Sequence, residues 1–294
     1  RAQVLLWPRD TALVAGLALS ELRHRRSLLV VTVITIAFIA LYGWGTFELL
    51  DNLDGRTEAQ GFDAIETARG AGYFLLGIAV FATFSLASVL AVFTTMSTVK
   101  GEAEQGLLQP LLVRPLSRSA IVAGRVVAAT IAGGIYSAIV VTGASLLTSA
   151  AGGEPPGNLL SVILGLTGAV AVVAAFGVLL STVFGTAATG MAATMLVSFG
   201  FFASLVRQIA DQSPNGENVA HWAGIVTDVL GFNALYEGAL GSLTDGVGGL
   251  TGLALQLGPF GQQRDLADGM VATSVIELLV LIAAATWRLR RLDL

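Results

Sequence analysis

The chain has 294 residues, of which 54% are hydrophobic and only 12% are charged, and its formal net charge is −4. Soluble domains are about one quarter charged, so this composition, with a mean hydropathy of +0.78, indicates a protein whose solvent is a lipid bilayer. It excludes a disordered chain, a coiled coil and a soluble enzyme, and the lack of cysteine excludes disulfides, thiolate metal sites and cysteine nucleophiles.

The first predicted element is an amphipathic helix over residues 10–26. Asp10 or Thr11 can cap its N-terminus, apolar residues recur at helical spacing, and a basic cluster closes it. We expect this helix to lie along the inner membrane surface before the chain enters the bilayer. The alternative is a simple tether whose arginines only follow the general excess of positive charge on the cytoplasmic side.

Six apolar runs follow, each long enough to cross a hydrocarbon core about 30 Å thick, which takes roughly 20 helical residues. Lipid offers no partner to backbone polar groups, so these runs are predicted to be helices. The fold class is therefore an all-α membrane protein with six transmembrane helices, forming one domain over residues 1–294. The predicted spans are 28–45, 72–96, 121–150, 159–184, 187–206 and 270–287.

The basic residues predict the orientation of these spans. Twelve of the 16 fall on one side of the membrane, which places both termini in the cytoplasm; an even number of spans also requires the termini to share a side. The inner set is Arg1, Arg9, Arg23, Arg25, Arg26, Lys100, Arg114, Arg118, Arg125, Arg288, Arg290 and Arg291. The outer set is Arg56, Arg69, Arg207 and Arg264.

Two connections between spans are candidates for a functional role. Residues 97–120 join the second and third spans in the cytoplasm, where a soluble partner can bind. Residues 208–269 form an extracytoplasmic segment with helix-length pieces near 219–240 and 247–257. Polar residues in the first piece argue against a seventh span, so we expect short helices that lie on or dip into the outer leaflet. In the alternative arrangement the glycine-rich stretch 246–258 is re-entrant.

The chemistry that the sequence lacks narrows its function. It has no phosphate-binding Gly-x-x-x-x-Gly-Lys-Ser/Thr loop, and its single lysine, Lys100, has no such context, so we expect no ATP hydrolysis by this chain. His24 and His221 are predicted on opposite sides of the membrane and cannot share a site in one subunit. No catalytic or metal-binding constellation is predicted, and an enzymatic function is the least favoured alternative.

Glu277 is the one charged residue in the middle of a predicted span. Charges near the bilayer centre cost at least about 2.5–3.5 kcal/mol and are kept for a function, so Glu277 and Arg207 are candidates for a translocation path, in which they could form an ion pair. The alternative is a carboxylate that reaches the outer interface. With a single intramembrane carboxylate, an ion-coupled transporter acting alone is disfavoured.

Small residues in the third and fourth spans predict close helix packing. They are Gly133, Gly134, Ser137 and Gly143 in the third span, and Gly165, Gly168 and Gly177 in the fourth. The alternative is that they line an interface between subunits.

The 97–120 connection carries a recognisable order of residues. An acidic stretch with Glu102 and Glu104 precedes Gly106, the pair Leu111-Leu112, the segment Pro115-Leu116-Ser117-Arg118, and then Gly124-Arg125. This order resembles the cytoplasmic coupling loop of ABC-2 type transporter permeases, and the six spans and the entry helix extend the resemblance over the whole chain. Leu107 and Pro110 depart from the family pattern.

The resemblance implies a permease that dimerises and docks two copies of a separate ABC ATPase, which bind the ATP and Mg²⁺, so that no cofactor is expected in this chain. It implies an exporter in the cell membrane of a prokaryote, with no nucleic-acid partner and with an extracytoplasmic protein as an optional one. The implied ATPase contact is Glu102, Glu104, Gln105, Gly106, Arg114 and Arg118. Alternatives are a permease for copper-site maturation of nitrous-oxide reductase and a membrane scaffold that transports nothing.

Overall fold

The computed structural model describes residues 2–24, 26–60, 64–96, 117–153, 156–211, 213, 216–243 and 268–291. Across these ranges all regular structure is helical, which confirms the prediction of an all-α protein. The nine helices of the described residues are α1 (Ala2–His24), α2 (Arg26–Gln60), α3 (Ala64–Thr95), α4 (Arg118–Ala150), α5 (Leu159–Ser181), α6 (Thr186–Asp211), α7 (Glu217–Val229), α8 (Gly231–Gly241) and α9 (Asp268–Arg291).

Six of these helices are long and apolar enough to cross a membrane, and they match the six predicted spans. The membrane-length segments are Leu28–Asn52 in α2, Gly70–Thr95 in α3, Arg118–Ala150, Leu159–Ser181, Thr186–Asp211 and Gly269–Arg291. The largest difference from prediction is in α2, which continues to Gln60. Its last residues are polar and end the hydropathy signal, but a helix satisfies its own backbone hydrogen bonds and can continue beyond the bilayer.

Burial divides the spans into central and peripheral helices. In α3 and α5, 67% of the span is buried within the chain, whereas the values are 17% for α2 and 22% for α9. The helix α5 is apolar on all faces, as expected for a helix enclosed by others. Thus α3, α4 and α5 form the centre of the bundle, while much of the surface of α2 and α9 faces outward.

Glycines set the closest helix contacts, as predicted from the sequence. A Cβ added at Gly133 would lie 2.5 Å from Val170 Cγ1, and one at Gly134 would lie 2.9 Å from Thr167 Cγ2. Gly177 packs against Thr95 of α3. Since all three contacts lie within one chain, these glycines are used for internal packing.

The N-terminal helix α1 packs on the beginning of α4. Val14 and Leu22 are buried, while Leu13 and Leu17 are exposed. The apolar residues of this amphipathic helix therefore lie partly on its buried face and partly on its exposed face. A Cβ at Gly124 of α4 would lie 2.7 Å from Val14 Cβ, which allows the close approach. The predicted helix is confirmed over 10–24, but its predicted start is wrong: the helix begins at Ala2, so Asp10 and Thr11 lie inside it and do not cap its N-terminus. Its position at the membrane surface stays a prediction.

Candidate functional site

The predicted inner end of α4 follows directly on the proposed coupling loop. Ser117 caps this helix by accepting a hydrogen bond from the Ala120 N–H at 3.2 Å, as is common at helix starts. The preceding segment 97–116 lies outside the described residues, and with it Glu102, Glu104, Gln105, Gly106 and Arg114. Arg118 is the one residue of the predicted ATPase contact that the structure describes.

Two arginines connect the first turns of α4 to the terminal helices of the chain. Arg118 Nη1 donates to the Leu289 carbonyl at 2.5 Å, in the last turn of α9, where a cation is favoured by the helix dipole. Arg125 Nη1 donates to Glu21 Oε2 of α1 at 3.1 Å. The helix α4 is therefore joined to both α1 and α9 near its N-terminus.

On the opposite half of the molecule, α7 and α8 form a hairpin that enters the bundle. The helix α7 begins beside Ala210 at the end of α6, whereas Asn233 of α8 contacts Gly200, ten residues earlier in α6. Ten helical residues correspond to about 15 Å, or half of a hydrocarbon core. The turn at Leu230 thus lies level with the middle of the spans, and we name α7 and α8 the re-entrant pair.

The helix α8 returns from this depth fully enclosed by other helices. All residues from 230 to 243 are buried, and Phe232 and Tyr236 stack on Phe84 of α3 at 6.1 and 5.1 Å between ring centroids. A Cβ at Gly165 of α5 would lie 2.9 Å from Ala239 Cβ. The predicted helical piece 219–240 is therefore two helices; the alternative re-entrant stretch 246–258 lies outside the described residues.

Arg207 and Glu277 hold this pair but do not bind each other. Arg207 Nη1 donates to Thr227 Oγ1 at 3.1 Å and lies 3.6 Å from Asp228 Oδ1. Glu277 Oε2 accepts the Gly231 N–H at 2.8 Å. The suggested ion pair between them is absent from the described contacts because the hairpin turn lies between the two side chains.

Each charge is matched to the helix end that it binds. Arg207 lies at the C-terminal turn of α7, which carries partial negative charge, and Glu277 lies at the N-terminus of α8, which carries partial positive charge. Ser274 Oγ, one turn before Glu277, lies 2.9 Å from the Met270 carbonyl of its own helix and 3.2 Å from the Gly231 carbonyl, and its single proton can serve one of the two at a time. The helix α9 therefore supplies the acceptor for the Gly231 N–H and contacts its carbonyl.

Sequence reasoning missed Glu237, which was assigned to an outer segment and is buried inside the bundle. Its side chain is 1% exposed, and Ser204 Oγ of α6 lies 2.6 Å from its Oε1. Asn233, four residues earlier on the same face, is also 1% exposed. The spacing of Asn233 and Glu237 on one helix face is visible in the sequence. The contact of Glu237 with Ser204, 33 residues away, is not.

Among the described residues, apolar clefts open between the spans at two places. The α3–α6 cleft has a volume of about 560 Å³ and lies towards the predicted inner ends of those helices, with Met96, Met191 and Met195 in its wall. The α5–α9 cleft has a volume of about 330 Å³ and lies in the outer halves, beside Gly168 and Ser274. Apolar clefts of this size accommodate hydrocarbon chains, and methionine lining adapts to different shapes.

The described residues contain no group of three His, Asp or Glu side chains that could hold a metal ion. His221 is exposed on α7 with its ring centroid 5.9 Å from that of Trp222.

Comparison with protein families supports this picture of a transport domain. The model of the ABC-2 family transporter protein matches residues 15–294, from the middle of α1 through all six spans. A comparison with curated proteins found no match. The chain belongs to the ABC-2 family of transporter membrane proteins.

Proposed function

We propose that this chain is the permease subunit of an ATP-driven exporter whose ATP and Mg²⁺ are bound by a separate ATPase subunit. Family membership gives the transport role, and the absence of a phosphate-binding loop from the sequence supports a separate subunit for ATP hydrolysis. The observation that supports coupling between the ATPase and the membrane helices is the pair of contacts made by Arg118 and Arg125 near the start of α4.

These contacts provide a route for force from the coupling loop. A displacement of the loop moves the N-terminus of α4 first, since Ser117 begins that helix. Arg118 then carries the displacement to the end of α9 and Arg125 to α1. Packed helices move as rigid elements rather than deforming continuously, so one docking event shifts three helices together.

The proposed ATPase contact is formed by the acidic stretch of the loop and the basic residues that follow it. It comprises Glu102, Glu104, Gln105, Gly106, Arg114 and Arg118. The proposed assembly contains two copies of this chain and two ATPase subunits in a prokaryotic cell membrane, with both termini in the cytoplasm. The excess of basic residues on the predicted inner side supports this orientation.

The α3–α6 cleft is the proposed entry for the apolar part of an amphipathic cargo. Its position in the inner half suits export, because cargo would leave the inner leaflet there. Arg207 and Glu277 contribute to the path by fixing the re-entrant pair, which closes the outer half of the bundle.

Copurification tests the coupling. The chain is coexpressed with the ATPase encoded beside it, in wild-type form and with residues 101–109 replaced by a Gly-Ser segment of equal length. The replacement is expected to abolish recovery of the ATPase, because the acidic part of the contact is removed. An equal replacement of 246–254, on the predicted outer side, is the control and is expected to leave the complex intact.

A complex that survives replacement of 101–109 unchanged would contradict the assigned interface. Loss of the complex in both replacements would show that the loop has no specific role, since the outer segment cannot contact a cytoplasmic ATPase.

A further inference from the structure

The α5–α9 cleft reaches the surface of the membrane domain in its predicted outer half. It has a volume of about 330 Å³ and follows α5 from Ser161 to Val172. The side chains of Leu164, Val271 and Val275 form its rim and are 61%, 42% and 48% exposed. Both walls belong to membrane-length helices, so the cleft opens towards the hydrocarbon of the bilayer.

The floor of the cleft is formed by the re-entrant pair. Leu235 of α8 lines the cleft, and a Cβ added at Gly168 of α5 would lie 3.0 Å from Leu235 Cδ1. On the other wall, Ser274 Oγ lies 3.2 Å from the Gly231 carbonyl at the beginning of α8. A molecule in the cleft therefore packs directly on α8.

The lining of the cleft does not suit water. An internal water makes about two to four hydrogen bonds, and Ser161 and Ser274 have the only polar side chains among the residues that the structure places in the wall. The Ser274 hydroxyl already lies 2.9 Å from the Met270 carbonyl of its own helix. An unfilled apolar cleft loses dispersion contacts along its walls, so an apolar occupant is favoured.

The length and polarity of the cleft match one acyl chain. Eleven helical residues, from Ser161 to Val172, correspond to about 16 Å, which is close to half of a hydrocarbon core and therefore to one leaflet. The polar end of the cleft is the outer one, where Asn158 Oδ1 accepts the Ser161 N–H at 3.2 Å. Deeper in the membrane the wall is formed by Ala171, Val172 and Leu278.

We propose that the α5–α9 cleft is a binding site for one acyl chain of a phospholipid in the outer leaflet. The chain lies along α5 with its glycerol end near Ser161, packs on Leu235 and holds α8 against α5. No Lys or Arg is among the residues that line the cleft, so the site selects the shape of the chain and not the charge of the head group. It is separate from the α3–α6 cleft proposed for cargo.

Photochemical labelling tests the site. The full chain is reconstituted in nanodiscs of phosphatidylcholine with a small fraction of phosphatidylcholine that carries a diazirine in one acyl chain, and adducts are located by mass spectrometry after illumination. Several-fold more adducts are expected on the cleft walls, at 161–172 and 271–278, than on Phe202 of α6, which is exposed in the same half of the membrane. Equal labelling would show ordinary bilayer contact alone and overturn the proposal.

A filled cleft provides the matched variant. Val275→Trp adds volume at the rim, and its excess of adducts is expected to fall to the level of Phe202. Ile276→Trp is the control, because Ile276 is exposed on α9 but does not line the cleft; its labelling is expected to stay as in wild type. Unchanged labelling in Val275→Trp would contradict the site. A disulfide between two copies carrying Val275→Cys would assign the cleft to a second copy and likewise overturn the proposal.

The contact with α8 is tested by the shape of the acyl chain. Hydrogen exchange of α8 is compared in nanodiscs of straight-chain and of methyl-branched phosphatidylcholine, which share a head group. Exchange in wild type is expected to be slower with straight chains, because a branched chain fits a narrow cleft poorly. In Val275→Trp the side chain occupies the cleft, and this difference is expected to disappear. The same lipid dependence in both proteins would show that the bound chain does not hold α8.

Discussion

At the scale of single residues, glycines determine how closely α8 can approach α5. A Cβ at Gly165 would meet Ala239 Cβ at 2.9 Å and the Leu235 carbonyl at 3.1 Å. Neither neighbour has a flexible end that could move aside, so added volume must separate the helices. The same residue type elsewhere in the bundle has open space around it, as at Gly45 of α2.

Gly165→Ala is accordingly expected to lower stability by about 1–3 kcal/mol, the range for overpacking in a close-packed interior. The measurement is the thermal midpoint of the purified chain in one lipid composition. Gly45→Ala is the matched control and is expected to be neutral or slightly stabilising, since it adds the same methyl group in a helix without a contact. Equal destabilisation by both would contradict the close α5–α8 packing.

Glu277 matters as a hydrogen-bond acceptor for Gly231. Glu277→Leu leaves the Gly231 N–H without its acceptor in a dry environment, which costs about 1–3 kcal/mol, whereas Glu277→Gln keeps an acceptor oxygen in place. Hydrogen exchange is expected to become faster across α8 in Glu277→Leu and to change little in Glu277→Gln. Equal protection of α8 in the two variants would mean that the contact does not hold the helix.

At the scale of elements, α1 is joined to α4 by packing and by the ion pair of Arg125 with Glu21. The pair of Arg125 and Glu21 is partly exposed, with side-chain exposures of 11% and 43%, so its contribution to global stability is small, at about 0.2–1 kcal/mol. Its effect should therefore be visible locally, in the docking of α1, rather than in the melting of the bundle.

A charge exchange tests this link. Glu21→Arg and Arg125→Glu alone place like charges together and are each expected to increase hydrogen exchange in α1. The double variant restores opposite charges and is expected to recover part of the protection. If the double variant behaves as the sum of the single changes, the two residues do not interact.

The elements also show what could be predicted from the sequence. The six spans follow from hydropathy because bilayer thickness fixes the length of an apolar helix. The re-entrant pair does not, since the contacts of its polar residues are made with residues far away in the chain. Glu237 meets Ser204, and Gly231 meets Glu277 46 residues away; no local pattern reports such distant pairs. Arg207 was singled out from its position beside the bilayer, but its partners, Thr227 and Asp228, depend on the hairpin.

At the scale of the whole molecule, polar contacts are found at the two ends of an apolar bundle. The predicted inner end has the arginines of α4, and the outer half has the re-entrant pair held by α6 and α9. The α3–α6 cleft lies between them. In the proposed transporter, an ATPase acts on the inner end. Cargo passes the outer half when α7 and α8 move.

The central claim is that a separate ATPase moves the helices of this chain. A single spin label at Met195→Cys, on the exposed face of α6 beside the α3–α6 cleft, reports the distance between the two copies in the reconstituted complex. The account predicts a defined distance without nucleotide that changes when the ATPase is trapped with ATP. The same label-to-label distance with and without ATP would contradict the claim that the ATPase moves these helices. The lack of any measurable label-to-label distance would contradict the proposed pair of copies.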